Sequence, residues 1–482
     1  MTAPQQSEAV KLAISRSTFL LLLFIGFSTL LHWLILILEI PILQALPFWF
    51  FQFEEIPVQR VWILFGLVLL AAAIFVRFSG ARTPVKLILL ILLGASIQFS
   101  FAFSKGLGLD ALRLRMVHQG HAQFATIAVE QPGILYVARN YDDLIQQRLV
   151  PGAYTRSKPP GTVLFYMFME RLANLTSPDA SAEERLENLR TFSSITWPVI
   201  TYIVFIPLFL LGRQWFDADT ALTACLLYLS VPSVNLVTLH TDQTIYPFLV
   251  VLPVWLANIA ARKNSYLHAF FTGVTFYLAG YFSFSLATIM LFIALPFVFE
   301  ILKGIRNWKP VLALIGTLML GTIVSDILAR LLLDYDIYIR YTDAIRHHAI
   351  WQDWQGGPGN YLRASITATT EFFVYLGIPL AILLCTAIGL AIYQVLIRRR
   401  VDMTSLLSFT FAGTLGGLLL FGKTDSETAR LWMFLIPFIC LIAAAFVHER
   451  AWTARSRIVF VLYILLLQFG TVYFTLRHQD FG

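Results

Sequence analysis

Charge is what this sequence has least of. Only 13% of its 482 residues are Asp, Glu, Lys or Arg, against about 25% in a soluble domain. A body with so little charge and so many apolar runs is not a water-soluble globule. Cysteine is almost missing as well. Cys225, Cys385 and Cys440 all lie inside apolar runs and none has a CxxC or metal-type partner, so they read as small packing residues. No Pro/Gly/Ser linker, separate soluble domain or fixed-period repeat is present. Walker, GxSxG, HExxH and EF-hand patterns are absent, and Gly106-x-Gly108 has no βαβ context. No basic run is interleaved with aromatics in a soluble context. The net charge of +7 therefore reads as cytoplasmic loop bias and contact with anionic membrane lipids, and nucleic acid is not an expected partner.

What is abundant is apolar sequence. Hydrophobic residues make up 58% of the chain, with 41 Phe, 11 Trp and 18 Tyr, and many of the aromatics are expected at bilayer interfaces. A crossing helix needs about 20 apolar residues. Candidate spans are 19–38, 61–77, 85–103, 160–174, 195–211, 219–237, 245–261, 267–282, 284–301, 310–329, 371–396, 404–421, 431–447 and 458–476. Backbone groups in lipid must be satisfied internally, so these are helices. The first is read as a retained span, because no small-residue cleavage site follows a short apolar core. The expected fold is an all-α polytopic transmembrane bundle of about 13 spans, one integral-membrane domain over 1–482. It comprises N-terminal spans in 19–103, a large outward loop over 104–159, core spans in 160–329, a second outward loop over 330–370 and C-terminal spans in 371–482.

Orientation follows the Lys/Arg bias of short loops. Arg77, Arg82 and Lys86 form one basic loop; Lys303, Arg306 and Lys309 a second; Arg398, Arg399 and Arg400 a third; Arg450, Arg455 and Arg457 a fourth. Placing these four in the cytoplasm puts 104–159, 330–370 and 422–430 together on the other side. This requires 267–301, interrupted by Gly280, Ser283 and Ser285, to be a broken pair that crosses once in net. Arg262 and Lys263 then face outward, against the charge rule, and Asp242 falls on the cytoplasmic side.

The polar stretch Ser104 to Gly161 is the largest place for aqueous chemistry. Asp110 at its start suits a general base at a crowded membrane boundary. It equally suits an N-cap for a helix over Ala111–His118. Lys158 at its end precedes Pro159-Pro160, which fix the entry of the next helix. A Lys held extended there suits a phosphate, or simply snorkels to the interface. The second outward segment carries Arg340, Asp343, Arg346, His347, His348, Trp351 and Trp354. Aromatics beside carboxylates suit a sugar, while an interfacial aromatic belt is the plainer reading. His347 and His348 are adjacent, which is not metal-ligand spacing, and no metal is expected. In 422–430, Glu427 and Arg430 stand at i,i+3 and can pair. Ser181 to Leu189 reads as a short charged surface helix.

The order of these features resembles the GT-C integral-membrane glycosyltransferases that use polyprenyl-phosphate sugars, especially aminoarabinose-transferase and protein mannosyltransferase-like members. Such enzymes place an acidic pair in the first large outward loop. Asp110 matches the first acid, and Ala111 stands where the second would be. Lys158-Pro159-Pro160 matches the Lys-Pro-Pro that closes that loop in the aminoarabinose type. Asn188 to Ser193, Gly212 to Phe216 and Pro232 to Asp242 resemble the elements that follow, so the resemblance covers roughly 87–300. The additional hairpin over 19–77 departs from the simplest layout.

The resemblance implies a transferase of the cell (inner or plasma) membrane, active on the non-cytoplasmic face and needing no cofactor. Asp110 would be general base, and Lys158, with Arg113 or Arg430, would stabilise the departing phosphate. Arg340, Asp343, His347, His348, Trp351 and Glu427 would contribute to substrate binding. Partners would be a polyprenyl-phosphate sugar donor and a glycan, lipid or protein acceptor of the envelope. Two other readings stand beside it. A transporter or flippase of lipid-linked sugars would show ionisable residues deep within spans, where only Asp326 clearly lies. A non-catalytic envelope-assembly protein is compatible with Ala111.

Overall fold

The computed structural model describes residues 16–117, 122–146, 153–237, 243–351, 358–421, 427–450 and 453–479. Among these, regular structure is helical, apart from one isolated antiparallel bridge between Phe53 and Gln479. The helices are α1 (Arg16–Ile37), α2 (Arg60–Phe78), α3 (Thr83–Ser104), α4 (Asp110–Arg113), α5 (Ala122–Glu130), α6 (Ile134–Gln146), α7 (Ala153–Arg156), α8 (Gly161–Ala173), α9 (Ala182–Tyr202), α10 (Phe205–Trp215) and α11 (Ala218–Tyr228). They continue with α12 (Tyr246–Lys263), α13 (Tyr266–Phe282), α14 (Met290–Leu302), α15 (Trp308–Leu333), α16 (Ile337–Trp351), α17 (Pro358–Leu376), α18 (Ile378–Leu396), α19 (Met403–Phe421), α20 (Thr428–Leu431), α21 (Ile436–Arg450) and α22 (Ala454–His478). Nine stretches of the described residues are long and apolar enough to cross a membrane; α9 and α10 form one of them, kinked between Tyr202 and Phe205. The protein is an all-α, multi-pass membrane bundle.

Hydrogen bonds sort the helix ends into two groups. Arg77 donates to the Asp219 carbonyl at 2.8 Å and Lys86 to the Arg77 carbonyl at 3.0 Å. His448 lies 3.3 Å from the Thr223 hydroxyl and 3.2 Å from Arg457, and Thr404 donates to Glu449. Arg262 donates to the Gln214 carbonyl at 2.7 Å, and Arg306 donates to the carbonyls of Ala261 and Arg262 at 2.7 and 2.8 Å. All the basic loops therefore share one end.

This overturns the single net crossing expected for 267–301. The end of α12 and the end of α14 are bonded together, so α13 and α14 make two passes, and Arg262 and Lys263 obey the charge rule. The miscounted element is α8. Its 13 residues rise roughly 20 Å, short of the ~30 Å apolar core. Its start lies against the carbonyl of Tyr281. Its Glu170 is buried and bridged by Arg185 at 2.7 Å, at the start of α9. Both ends of α8 thus stay on the side away from the basic loops. Removing one pass and adding one leaves the parity of the rest intact.

Three smaller corrections follow. Asp242 itself lies outside the described residues, but its flanks belong to the end opposite the basic loops: the Leu236 carbonyl accepts from Arg115, and Tyr246 reaches Thr162 at 3.4 Å. The segment Ser181–Leu189 is no separate surface helix; it is the capped start of α9, with Ser181 and Glu184 bonding each other's backbone amides at 3.3 and 2.8 Å. The span expected from 371 begins at Ile378, after Gly377 at φ +91°.

The main core joins α10, α11, α12, α18, α19, α21 and α22. A satellite core of Phe124, Tyr141, Tyr166 and Trp197 unites α5, α6, α8 and α9 at the end away from the basic loops.

Candidate functional site

At that end, α3 is followed by Gly106 and Gly108, at φ +83° and +55°, a conformation Gly adopts without penalty. The turn delivers Asp110 as the first residue of α4. Leu109 holds the cap position and Asp110 makes no cap bond, so the capping role does not hold. Asp110 is instead exposed and accepts from Arg113 at 2.8 Å. Arg113 also pairs with Glu187 of α9, which holds Arg190 at 3.4 Å. The first acid thus belongs to a row of alternating charge linking α4 to α9. Ala111 is 6% exposed and packs with Leu112 and Ala102. It shares a cavity of about 10 Å³ with Lys105, Arg115 and Asn235. A side chain longer than Ala at this position would point into protein beside two cations, Lys105 and Arg115, which sequence reasoning did not single out.

Lys158 follows α7, with its ammonium 5.0 Å from the Phe124 ring centroid, a cation–π distance. Pro160 caps α8, and Gly161 abuts the Tyr281 carbonyl and Phe282 Cα so closely that no Cβ fits. The Lys-Pro-Pro-Gly order is therefore a local device. The prolines start the helix, the glycine docks it on α13, and Lys158 is left over the satellite core. The helix α5 touches Lys158 through Phe124 and also contacts the turn that follows Arg113.

A second group lies beside it. Arg340 of α16 is only 3% exposed; it pairs with Asp142 of α6 at 3.0 Å and donates to the Arg156 carbonyl. Tyr141 donates to the Thr155 carbonyl at 3.0 Å, and burial pushes its hydroxyl pKa up. Arg340 therefore ties the second outward segment to the first. Asp343 is partly exposed and faces Arg346 at 3.7 Å. His347 is on the same helix. His348 and Trp351 continue it, but their side chains, with 352–357, lie outside the described residues.

The third group is the most completely built. Glu371, near the end of α17, is fully buried. Its carboxylate accepts the amides of Ala429 at 2.9 Å and Glu427 at 3.2 Å, while Thr428 donates to the Ala368 carbonyl at 2.7 Å. Glu427, in a left-handed conformation at φ 61°, folds over Arg430 and accepts from two of its nitrogens, the nearer at 2.6 Å. The i,i+3 pair expected from sequence is present. Residues 422–426 lie outside the described residues. Burial raises the Glu371 carboxyl to about 7; the Ala429 amide opposes this and the Glu427 charge adds to it. Sequence reasoning missed Glu371 because it stood at the first position of an apolar run.

The sequence matches no family model and no curated protein. Among solved structures, the chain is similar to the oligosaccharyltransferase of Archaeoglobus fulgidus. Against the complex with Zn and sulfate, identity is 17% over 66% of this chain and 44% of that one, with a TM-score of 0.42. Against the apo form, identity is 13% over 80% of this chain and 56% of that one, with a TM-score of 0.45. The chain spans about half the length of these structures. The likeness is one of helical trace, and no residue's role is carried over from it.

Proposed function

We propose that this protein is a membrane glycosyltransferase that moves a sugar from a polyprenyl-phosphate donor to an envelope acceptor on the non-cytoplasmic face. The observation that supports the reading is that Asp110 and Lys158 both lie at the end of the bundle away from every basic loop, with Lys158 resting on α5 and the turn after Arg113 touching the same helix. An acceptor hydroxyl transfers its proton to Asp110 and its oxygen attacks the anomeric carbon. The bond from that carbon to the phosphate oxygen breaks with inversion, and the phosphate leaves with the electron pair. Cations fixed in a water-poor site stabilise that developing charge. Lys158 is first among them; Arg113, held by Asp110 and Glu187, and Arg430, held by Glu427, are each already paired with carboxylates. Arg340, buried on Asp142, holds the wall of the site rather than the substrate. The lipid tail lies among the spans and the sugar beneath the polar segments.

The test is transfer from labelled polyprenyl-phosphate sugars by purified protein supplied with an envelope extract. Asp110→Asn is expected to lower turnover by about 100-fold or more, the usual range for a general base. Equal transfer by both proteins removes Asp110 from the chemistry. Lys158→Ala is expected to weaken donor binding by roughly tenfold; unchanged donor binding removes its phosphate role.

A further inference from the structure

The helices α13 and α15 run side by side in close contact. A Cβ on Gly273 would collide with the Leu318 carbonyl, and one on Gly321 with the Phe270 carbonyl, the small-residue contact that lets membrane helices approach. Next to this contact, toward the end away from the basic loops, lies a cavity of about 300 Å³ lined by Phe276, Tyr277, Gly280, Thr322, Ile323 and Asp326. The helix α15 is the least buried of the candidate spans. Around the cavity it presents Leu320, Ile323, Ile327 and Leu331 outward, 47–76% exposed. In a bilayer this surface faces lipid tails, so the cavity opens onto acyl chains.

Its polar rim has a distinctive charge pattern. Asp326 accepts from Arg330 at 2.8 Å and from the Tyr277 hydroxyl at 3.4 Å. Arg330 also bridges Asp336 at 2.6 Å. Asp334 caps α15 in a left-handed conformation with its side chain exposed. From α6, Arg139 donates to the Leu332 carbonyl at 3.0 Å. Beside the cavity Arg330 therefore stands between the carboxylates of Asp326 and Asp336, with Asp334 exposed two residues before Asp336 and the Arg139 guanidinium on the Leu332 carbonyl. A head bearing only phosphate would meet an excess of negative charge. A head bearing both a phosphate and an ammonium meets partners for each.

We infer that this cavity binds a zwitterionic, amine-bearing phospholipid. One acyl chain enters between α13 and α15, the phosphate lies by Arg330, and the ammonium donates to Asp334 and Asp336. An ionisable residue at membrane depth marks a functional site by default, and Asp326, bonded to Tyr277 and Arg330, fixes the rim on which the head rests. The site uses other helices than those carrying Asp110 and Lys158, so it stands independently of the transferase reading.

The test uses the full chain in phosphatidylcholine vesicles doped with phosphatidylethanolamine that carries a diazirine in one acyl chain. Irradiation and peptide mapping are expected to place the label within 276–337. Unlabelled phosphatidylethanolamine should displace it, and phosphatidylglycerol or polyprenyl phosphate should not. Gly280 has no neighbour nearer than Ile337 at 3.9 Å, so Gly280→Phe is expected to fill the cavity and abolish that enrichment. The double variant Asp334→Asn, Asp336→Asn is expected to lower the preference for the amine lipid about three- to fivefold, as for exposed ion pairs. Label spread evenly over lipid-facing helices, or displaced equally by the anionic lipids, overturns the inference. Where Gly280→Phe does not fold, mapping and competition on the unaltered protein decide.

Discussion

The carboxylate of Glu371 shows how one side chain can organise a segment far from it in sequence. It lies 56 to 58 residues from the amides it accepts, and those amides fix the backbone from which Arg430 projects. A carboxyl raised from 4.5 to about 7 keeps its proton in the folded state at pH values where the unfolded chain has lost it. This favours folding below about pH 4.5, and the benefit is lost as the pH rises through about 7. The expected outcome is an apparent Tm in detergent that falls between pH 5 and 8. The free energy involved is at most about 3 kcal/mol. Glu371→Gln should flatten that profile. A slope unchanged by the substitution would show that Glu371 does not titrate in this window. Nothing in the run of residues around Glu371 announces this, because its partners come from α20 and only the fold brings them near.

At the scale of elements, α8 teaches most. Its apolar residues read as a crossing, since hydropathy alone cannot separate a span from a buried helix of similar composition. Two local signs pointed the other way: its length and Glu170 near its end. The deciding fact is tertiary, the burial of Glu170 against Arg185 and Asn174. The docking of α8 on α13 depends on Gly161. A Val there would meet the Tyr281 carbonyl, and such overpacking costs about 1–3 kcal/mol. Gly161→Val is therefore expected to lower the Tm and, by shifting Lys158, to weaken donor binding. A variant with native stability and native donor affinity would separate Lys158 from the helix it precedes.

For the whole molecule, the charge bias of the loops was legible and gathered the basic loops at one end, although the expected pass through α8 belonged instead to α13 and α14. The satellite core, the tie of Arg340 to Asp142 and the seat of Glu371 were not, since each joins residues remote in sequence. The arrangement is checked by single cysteines in a Cys385→Ser background, the other two cysteines being buried. Lys263→Cys and Asn307→Cys are expected to be labelled from one side of sealed vesicles, and Asp179→Cys and Asp334→Cys from the other. The most direct measurement combines sidedness with chemistry. Proteoliposomes holding labelled polyprenyl-phosphate sugar would be given membrane-impermeant envelope acceptors on the outside only, with orientation scored by Asn307→Cys labelling. The account expects transfer in proportion to the fraction of protein whose Asp110 end faces outward, and almost none for Asp110→Asn. Transfer tracking the opposite orientation, or surviving intact in Asp110→Asn, would contradict it.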